Sequence, residues 1–142
     1  MTPEGETRLI EHEGERLSAY ADSRGFLTIG IGHCIDARVN GAITQRVSRE
    51  LFEDDVARCT ASARANFEWV DQLDPVRQDV IVMLVFNMGV GGVKGFKKMI
   101  EAIKQQNWTQ AAWELSNSQW ALQVQKQRRV ELCDALEKGE WK

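Results

Sequence analysis

The longest apolar run in the chain lies between Asp74 and Gly89. It opens with Asp74-Pro75, an N-cap followed by proline at the first helical position. The residues from Val80 to Phe86 are apolar without interruption. Because a helix that is apolar on all sides belongs in a protein interior, this segment predicts the buried centre of a helical lobe, ending at Gly89.

Helices are also predicted on both sides of this run. Residues 3–13 are predicted to form a first helix with Thr2 as its N-cap, and Thr44 begins a long helix whose apolar residues recur every three or four positions. Shorter helices are predicted after the apolar run, at about residues 95–106, 109–117 and 125–138.

Between the first two helices the apolar pattern changes to alternation. Phe26–Gly32 alternates like a strand, and the residues 22–25 before it, Asp-Ser-Arg-Gly, have the composition of a turn. Asn40-Gly41 suits a type I′ hairpin. Residues 17–43 are therefore predicted to form a small antiparallel sheet.

These elements predict an α+β fold of two unequal lobes. A small antiparallel β-sheet lobe, about residues 14–58, is joined by the long helix to a larger helical lobe. The helical lobe is predicted to contain about residues 66–142 and the N-terminal helix, residues 1–13.

Composition, charge and cysteine spacing argue against several classes of function. An apolar fraction of 43% is enough for a folded core, and a net charge of −3 provides no overall basic field for nucleic acid. Every lysine lies at or beyond Lys94. The three cysteines form no CxxC pair, so we expect free thiols and no structural metal site. The N-terminal residues lack the apolar run of a signal peptide or membrane anchor, so neither is expected.

Two carboxylates lie close together in sequence in different predicted surroundings. Glu13 falls on the face of the first helix that carries Leu9 and Ile10, where burial would keep a carboxyl protonated. Asp22 lies in a turn, where a carboxylate stays ionised. Hydrolysis of a glycosidic bond needs one group of each kind, an acid and a base or nucleophile. A frayed helix end with Glu13 in water is the alternative, and residue types alone do not decide between them.

A longer sequence pattern around these two carboxylates supports the hydrolysis of a glycosidic bond. The stretch EGERLSAYADSRGFLTIGIGH, in which Glu13, Asp22 and Thr28 have the spacing Glu-x8-Asp-x5-Thr, resembles the phage lysozyme family of glycoside hydrolases. The segments NGAIT, LFEDDV, VFNMGVGGVKGF and AAWELSNSQW are similar to later parts of that family, so the resemblance covers nearly the whole chain. It implies a single lysozyme-like domain.

The resemblance implies a muramidase that hydrolyses the β-1,4 bond between N-acetylmuramic acid and N-acetylglucosamine with inversion. Glu13 would protonate the leaving oxygen, Asp22 would activate a water, and Thr28 would hold that water. In an inverting enzyme the two carboxyl groups stand about 6.5–9.5 Å apart, which leaves room for the water.

Further site residues follow from the same resemblance. Arg128 or Arg129 is implied to approach and steady Glu13. Plain core packing is the alternative for Phe86 and Trp120. The implied substrate-binding residues are Tyr20, Gly32, Cys34, Phe86, Asn87 and Trp120.

Other positions are implied to serve structure or depart from the family. His33 and Asp55 are implied to form a structural pair, and a metal-binding role of His33 is disfavoured because His12 is the other histidine of the chain. Met99 and Glu114 stand where family members carry small polar or amide side chains that touch sugar, which puts those subsites in doubt.

The resulting expectation is an endolysin that degrades bacterial peptidoglycan without cofactor or metal. We expect a monomer with no nucleic-acid partner and no membrane anchor, held in the host cytoplasm until a holin allows release to the periplasm or wall. A lytic transglycosylase is one alternative, but it would not need Asp22. A catalytically silent wall-binding module is the other, but it would have no reason to keep Glu13, Asp22 and Thr28.

Overall fold

The computed structural model describes Met1 and residues 3–141, so the predicted cap Thr2 lies outside the described residues. Its mostly helical chain with one small antiparallel sheet confirms the predicted α+β, lysozyme-like fold class. In chain order the elements are α1 (Pro3–Glu13), β1 (Arg16–Ala21), β2 (Leu27–Gly30), β3 (His33–Cys34), α2 (Gln45–Asn66), α3 (Pro75–Lys94), α4 (Lys97–Lys104), α5 (Trp108–Ser116), α6 (Gln119–Gln123) and α7 (Lys126–Lys138).

The residues fall into two compact units, Met1–Glu50 and Leu51–Lys142. The first unit holds α1, the sheet and the first residues of α2, and the second holds the rest of α2 and α3 to α7. This grouping differs from the predicted lobes, because α1 is counted with the sheet and the division falls inside α2.

The sheet has the strand order β1-β2-β3, with both pairs antiparallel. Thr28 lies opposite Tyr20 on β1 and opposite Cys34 on β3, while Ile29 lies opposite His33. Side chains alternate between the faces of a strand, so Tyr20, Thr28 and Cys34 form a row on one face and His33 belongs to the other.

The hairpin predicted at Asn40-Gly41 is wrong. No described residue between 35 and 44 is in a strand, and Ala37–Val39 forms one turn of 3₁₀ helix instead. The Asp36 carboxylate accepts a hydrogen bond from the Arg38 amide and caps this turn, which Asn40 ends with φ 59°. A local side-chain cap of this kind gives the backbone an alternative to strand pairing.

The predicted helix starts are confirmed by their caps. The Thr44 hydroxyl accepts a hydrogen bond from the Val47 amide at 3.3 Å, and the Asp74 carboxylate accepts one from the Arg77 amide at 3.0 Å. Besides the 3₁₀ turn at Ala37–Val39, two short elements were not predicted, namely α6 and a 3₁₀ turn at Val70–Gln72. Both are too short to show a periodic apolar pattern.

The helix α3, predicted to be the buried centre of the helical lobe, contributes to the hydrophobic core of the second unit. It is long and apolar enough to cross a membrane by length and composition, with a mean hydropathy of 1.3. In the structure, however, one side of the helix packs in the core, where Val80, Ile81, Leu84, Val85 and Val93 are buried. Met83 and Phe86 are 42% and 48% exposed. A non-helical residue, Gly89 with φ 72°, interrupts the helix where its end was predicted.

Candidate active site

The turn that follows β1 holds the Asp22 carboxylate in a fixed position. Oδ1 of Asp22 accepts hydrogen bonds from the amides of Arg24 at 2.8 Å and Phe26 at 2.9 Å. The backbone of the same turn is closed by bonds from the Asp22 amide to the Phe26 carbonyl and from the Gly25 amide to the Asp22 carbonyl. We call residues 22–26 the Asp22 turn.

These contacts keep Asp22 ionised. The Phe26 amide lowers the pKa of the Asp22 carboxyl most, and the Arg24 amide and guanidinium lower it further. Partial desolvation and the charge of Asp36 oppose this shift without reversing it. The other carboxylate oxygen of Asp22, Oδ2, lies 3.8 Å from Nε of Arg24. An ionised carboxylate with one oxygen fixed by amides can act as a base through the other oxygen.

The Glu13 carboxylate lies against the backbone of Gly32. An added Cβ at Gly32 would stand 2.7 Å from Oε2 of Glu13, so only a glycine leaves room for the carboxylate in this position. The φ of Gly32 is +67°, which also favours glycine. Gly32 was predicted to bind substrate; the structure places it beside the candidate acid, and the sugar contact stays a prediction.

The predicted burial of Glu13 is not provided by its own unit. Leu9 and Ile10, on the same face of α1, are 45% and 43% exposed, and Glu13 is exposed too. The turn between β2 and β3 contacts the end of α1 through Gly32, but this face of the helix stays exposed. Within this unit the alternative, Glu13 in contact with water, describes the helix end better.

Thr28 is the buried polar residue at the centre of the sheet. It is 4% exposed, and its hydroxyl donates a hydrogen bond to the Phe26 carbonyl at 3.1 Å. The donor is therefore used within the turn, and the lone pairs of the oxygen are left to accept from a water. Its cross-strand neighbours Tyr20 and Cys34 are half-buried, and the Arg16 guanidinium lies 4.5 Å from the centre of the Tyr20 ring.

In the second unit, Asn87 and Trp120 contact each other directly. The indole Nε1 of Trp120 donates a hydrogen bond to Oδ1 of Asn87 at 2.8 Å. Trp120 is 5% exposed, so it contributes to the core while its polar edge holds the Asn87 amide. Both residues line two cavities of about 670 and 350 Å³.

Phe86 and Arg128 also line the smaller of these cavities. Phe86 is 48% exposed and packs against Phe52 with 6.2 Å between ring centres, so plain core packing does not describe it. Arg128 is exposed on α7, and its neighbour Arg129 is half-buried. The approach of either arginine to Glu13 stays a prediction.

The structure shows the surroundings of the predicted His33–Asp55 pair and of Met99 and Glu114. Asp55 forms an ion pair with Arg58, one turn later on α2, a partner that was not predicted for this carboxylate. His33 is exposed on β3, and its pairing with Asp55 stays a prediction. Met99 is buried in the core and Glu114 accepts a hydrogen bond from Gln110, so Met99 presents no surface to a sugar.

An ion pair beside the Asp22 turn, between a buried carboxylate and an exposed arginine, was missed. Asp36 is 6% exposed and binds Arg38 through both carboxylate oxygens. The Arg38 side chain holds the pKa of Asp36 far below its ordinary value, aided by the Leu27 and Arg38 amides. The sequence signal was the Asp-x-Arg spacing after a strand, which is too common to stand out. Among the described residues, no group of three metal-ligating side chains is found.

Comparison with known proteins identifies the family of the chain. The phage lysozyme family matches residues 10–134. The chain is 34% identical over 134 residues to the probable T4-type lysozyme 1 of Dictyostelium discoideum, covering 76% of this chain and 79% of that protein. It is 31% identical over 128 residues to the endolysin of Salmonella phage P22, covering 79% and 78% of the two chains. A third relative, the pre-baseplate central spike protein Gp5 of phage T4, is 30% identical, with 82% of this chain but 24% of that protein covered.

The protein therefore belongs to the phage lysozyme family. Membership gives it a lysozyme-like function, that of a glycoside hydrolase with bacterial peptidoglycan as substrate. This confirms the family that the sequence resemblance indicated.

Proposed function

We propose that this protein is a muramidase that hydrolyses the β-1,4 bond between N-acetylmuramic acid and N-acetylglucosamine with inversion. The observation that carries the proposal is the difference between the two carboxylates. Asp22 is held ionised by two backbone amides, while Glu13 has no such donors among the hydrogen bonds of the described residues and rests on Gly32. An acid and a base in different environments are what glycoside hydrolysis requires.

The reaction then runs in one displacement. The Glu13 carboxyl gives its proton to the oxygen that links the two sugars, and the bond from this oxygen to the anomeric carbon breaks. A water attacks the same carbon from the opposite face and gives a proton to Oδ2 of Asp22, because Oδ1 is engaged by the amides. Both carboxyl groups return to their starting state by proton exchange with solvent.

Thr28 is proposed to hold the attacking water. Its hydroxyl hydrogen is committed to the Phe26 carbonyl, so the oxygen can only accept. A water that donates one hydrogen to Thr28 and the other to Asp22 has its lone pair free for the sugar. Asn87, Phe86 and Trp120 are proposed to bind substrate, together with Tyr20 and Cys34.

The biological role is proposed to be that of an endolysin. It would act as a monomer, stay in the host cytoplasm, and reach the periplasm or wall through a membrane lesion made by a holin. The name of the phage P22 relative supports this role. A lytic transglycosylase remains the second candidate on the same fold, although it gives no task to the ionised Asp22.

Loss of turbidity in a suspension of cell walls tests the activity. The wild type should clear the suspension, and Glu13→Gln should lose at least about 10²-fold, the low end for removal of a general acid. Glu15→Gln is the matched control, because Glu15 is exposed two residues later and should keep full activity. Clearing by a folded Glu13→Gln protein at the wild-type rate would remove Glu13 from the mechanism.

A further inference from the structure

The loop after β3 carries an arginine that reaches the Asp22 turn. Nη2 of Arg38 donates a hydrogen bond to the Gly25 carbonyl at 2.8 Å. The Arg38 guanidinium carbon also lies 5.2 Å from the centre of the Phe26 ring. Gly25 and Phe26 are the last two residues of the Asp22 turn, and the Phe26 amide is one of the two that hold Oδ1 of Asp22.

Arg38 is itself fixed by a buried anchor. Its Nε and Nη2 bind the two oxygens of Asp36 at 2.8 and 2.6 Å. Asp36 in turn accepts a bond from the Leu27 amide at 3.1 Å, so the anchor is attached to the first residue of β2. A two-point pair between a guanidinium and a carboxylate fixes the direction of both groups, which a single contact does not.

The loop that presents this pair is tightly closed. The Asp36 carbonyl accepts bonds from the amides of Val39 at 3.1 Å and Gly41 at 2.9 Å. An added Cβ at Gly41 would stand 2.4 Å from the Ile35 carbonyl carbon, so the chain returns here against its own backbone. The position of Arg38 therefore follows from the covalent and hydrogen-bonded structure of residues 35–41.

We propose that Arg38, anchored by Asp36, is a positioning residue for Asp22. It holds the Gly25 carbonyl and the Phe26 ring, and through them the amides that fix Oδ1 of the catalytic carboxylate. Arg38 acts on the turn and not on the sugar. The proposal rests on the proposed role of Asp22 as the base.

For Asp36→Asn, the geometry of the anchor and the charge of Asp36 predict opposite shifts in the pKa of Asp22. Three charged groups act on Asp22 within its unit, as far as the described residues show: Arg24 in the same turn, and Asp36 and Arg38 from the loop. Removing the negative charge of Asp36 would by itself make Asp22 easier to ionise and lower its pKa. If Asp36 instead anchors Arg38, then Asp36→Asn loosens the turn, weakens the amide bonds to Oδ1 and raises the pKa of Asp22.

Arg38→Lys tests the same idea with the charge kept. A lysine ammonium can pair with Asp36, but it lacks the planar fork that binds Asp36 and the Gly25 carbonyl together. Arg46→Lys is the matched control, because Arg46 lies in the same unit and forms an exposed pair with Glu50 one turn along α2.

The measurement is a carbon-13 NMR titration of the Asp22 carboxyl in the full-length protein, assigned with Asp22→Asn. We expect its midpoint to move to higher pH in both Arg38→Lys and Asp36→Asn, and to stay in place in Arg46→Lys. A midpoint that stays in place in Arg38→Lys, or that stays or falls in a folded Asp36→Asn, overturns the proposal. If Asp36→Asn does not fold, Arg38→Lys decides alone, because it keeps the anchoring carboxylate.

Kinetics on soluble peptidoglycan fragments provide the second readout. Misplacement of the base should lower kcat by about tenfold with KM nearly unchanged, since effects of this kind fall on the reacting geometry. A raised midpoint with unchanged kcat also overturns the positioning role. If the wild type hydrolyses no wall material at all, the proposed function fails, while the titration still reports on whether Arg38 holds the turn.

Discussion

The carboxylate of Glu13 occupies the space that a side chain at Gly32 would fill, with Oε2 2.7 Å from the position of a Cβ. Gly32 lies in the two-residue turn between β2 and β3, so the strand that carries Thr28 also leads to the residue on which the candidate acid rests. The position of Glu13 thus depends on the absence of one methyl group.

Gly32→Ala is predicted to displace Glu13 without unfolding the protein. The added methyl would push the flexible end of Glu13 aside, and wall hydrolysis should fall by about 10²-fold, as expected for a catalytic group moved by about an ångström. The positive φ should cost about 1–2 kcal/mol in the free energy of unfolding.

Gly30→Ala is the control for backbone strain in this experiment. Gly30 has φ +66°, and no atom lies within 4 Å of its added Cβ. It should lose a similar amount of stability and keep most of its activity. Equal losses of activity in the two variants, measured at equal folded fraction, would show that Gly32 does not act through Glu13.

Thr28→Val is predicted to separate the hydroxyl from the volume of the side chain. Loss of the bond to the Phe26 carbonyl should cost about 1 kcal/mol of stability. Loss of the oxygen that accepts from the water should lower kcat by about tenfold or more. Thr28→Ser keeps the hydroxyl and should retain activity. A Thr28→Val protein as active as Thr28→Ser would mean that the water is held elsewhere.

Trp120→Phe is predicted to release the Asn87 amide. A phenyl ring fills most of the indole space but cannot donate to Oδ1 of Asn87, which should cost about 1 kcal/mol of stability. If Asn87 binds substrate, KM should rise severalfold with a smaller change in kcat. Trp113→Phe, at an exposed site on α5, should change neither. An unchanged KM in a folded Trp120→Phe protein would remove Asn87 and Trp120 from substrate binding.

Cys133 is predicted to make the fold sensitive to alkaline pH. Burial raises the pKa of its thiol to about 11 from an ordinary value of 9.0. The folded state therefore holds this proton more tightly than the unfolded state. Its contribution to stability is full below pH 9.0 and is lost as the pH rises towards about 11. Chemical denaturation should show a steeper decline in stability over this window for the wild type than for Cys133→Ala, and parallel curves would contradict the assignment.

The sequence predicts those parts of the molecule that depend on local chemistry. Caps at Thr44 and Asp74 and the apolar run of α3 were identified correctly, because a cap or a periodic face is complete within one segment. The spacing of Glu13, Asp22 and Thr28 indicated the family for the same reason.

The parts that sequence reasoning missed depend on contacts across the chain. The Asp36 cap replaced the expected hairpin at Asn40-Gly41, although Asn-Gly favours a turn when no stronger local bond competes. The contact between Glu13 and Gly32 joins a helix end to a turn between strands. No pattern within either segment predicts it.

The chemistry of the new sugar end tests the proposed inverting hydrolysis most directly. Peptidoglycan fragments digested by the wild type in ¹⁸O-labelled water are analysed by mass spectrometry, and the anomer formed first is read by proton NMR. Inverting hydrolysis gives a reducing N-acetylmuramic acid end that carries one ¹⁸O atom and appears first as the α anomer, since water attacks the β-linked carbon from the opposite face. An anhydro end without ¹⁸O, or a reducing end that appears first as the β anomer, would contradict it.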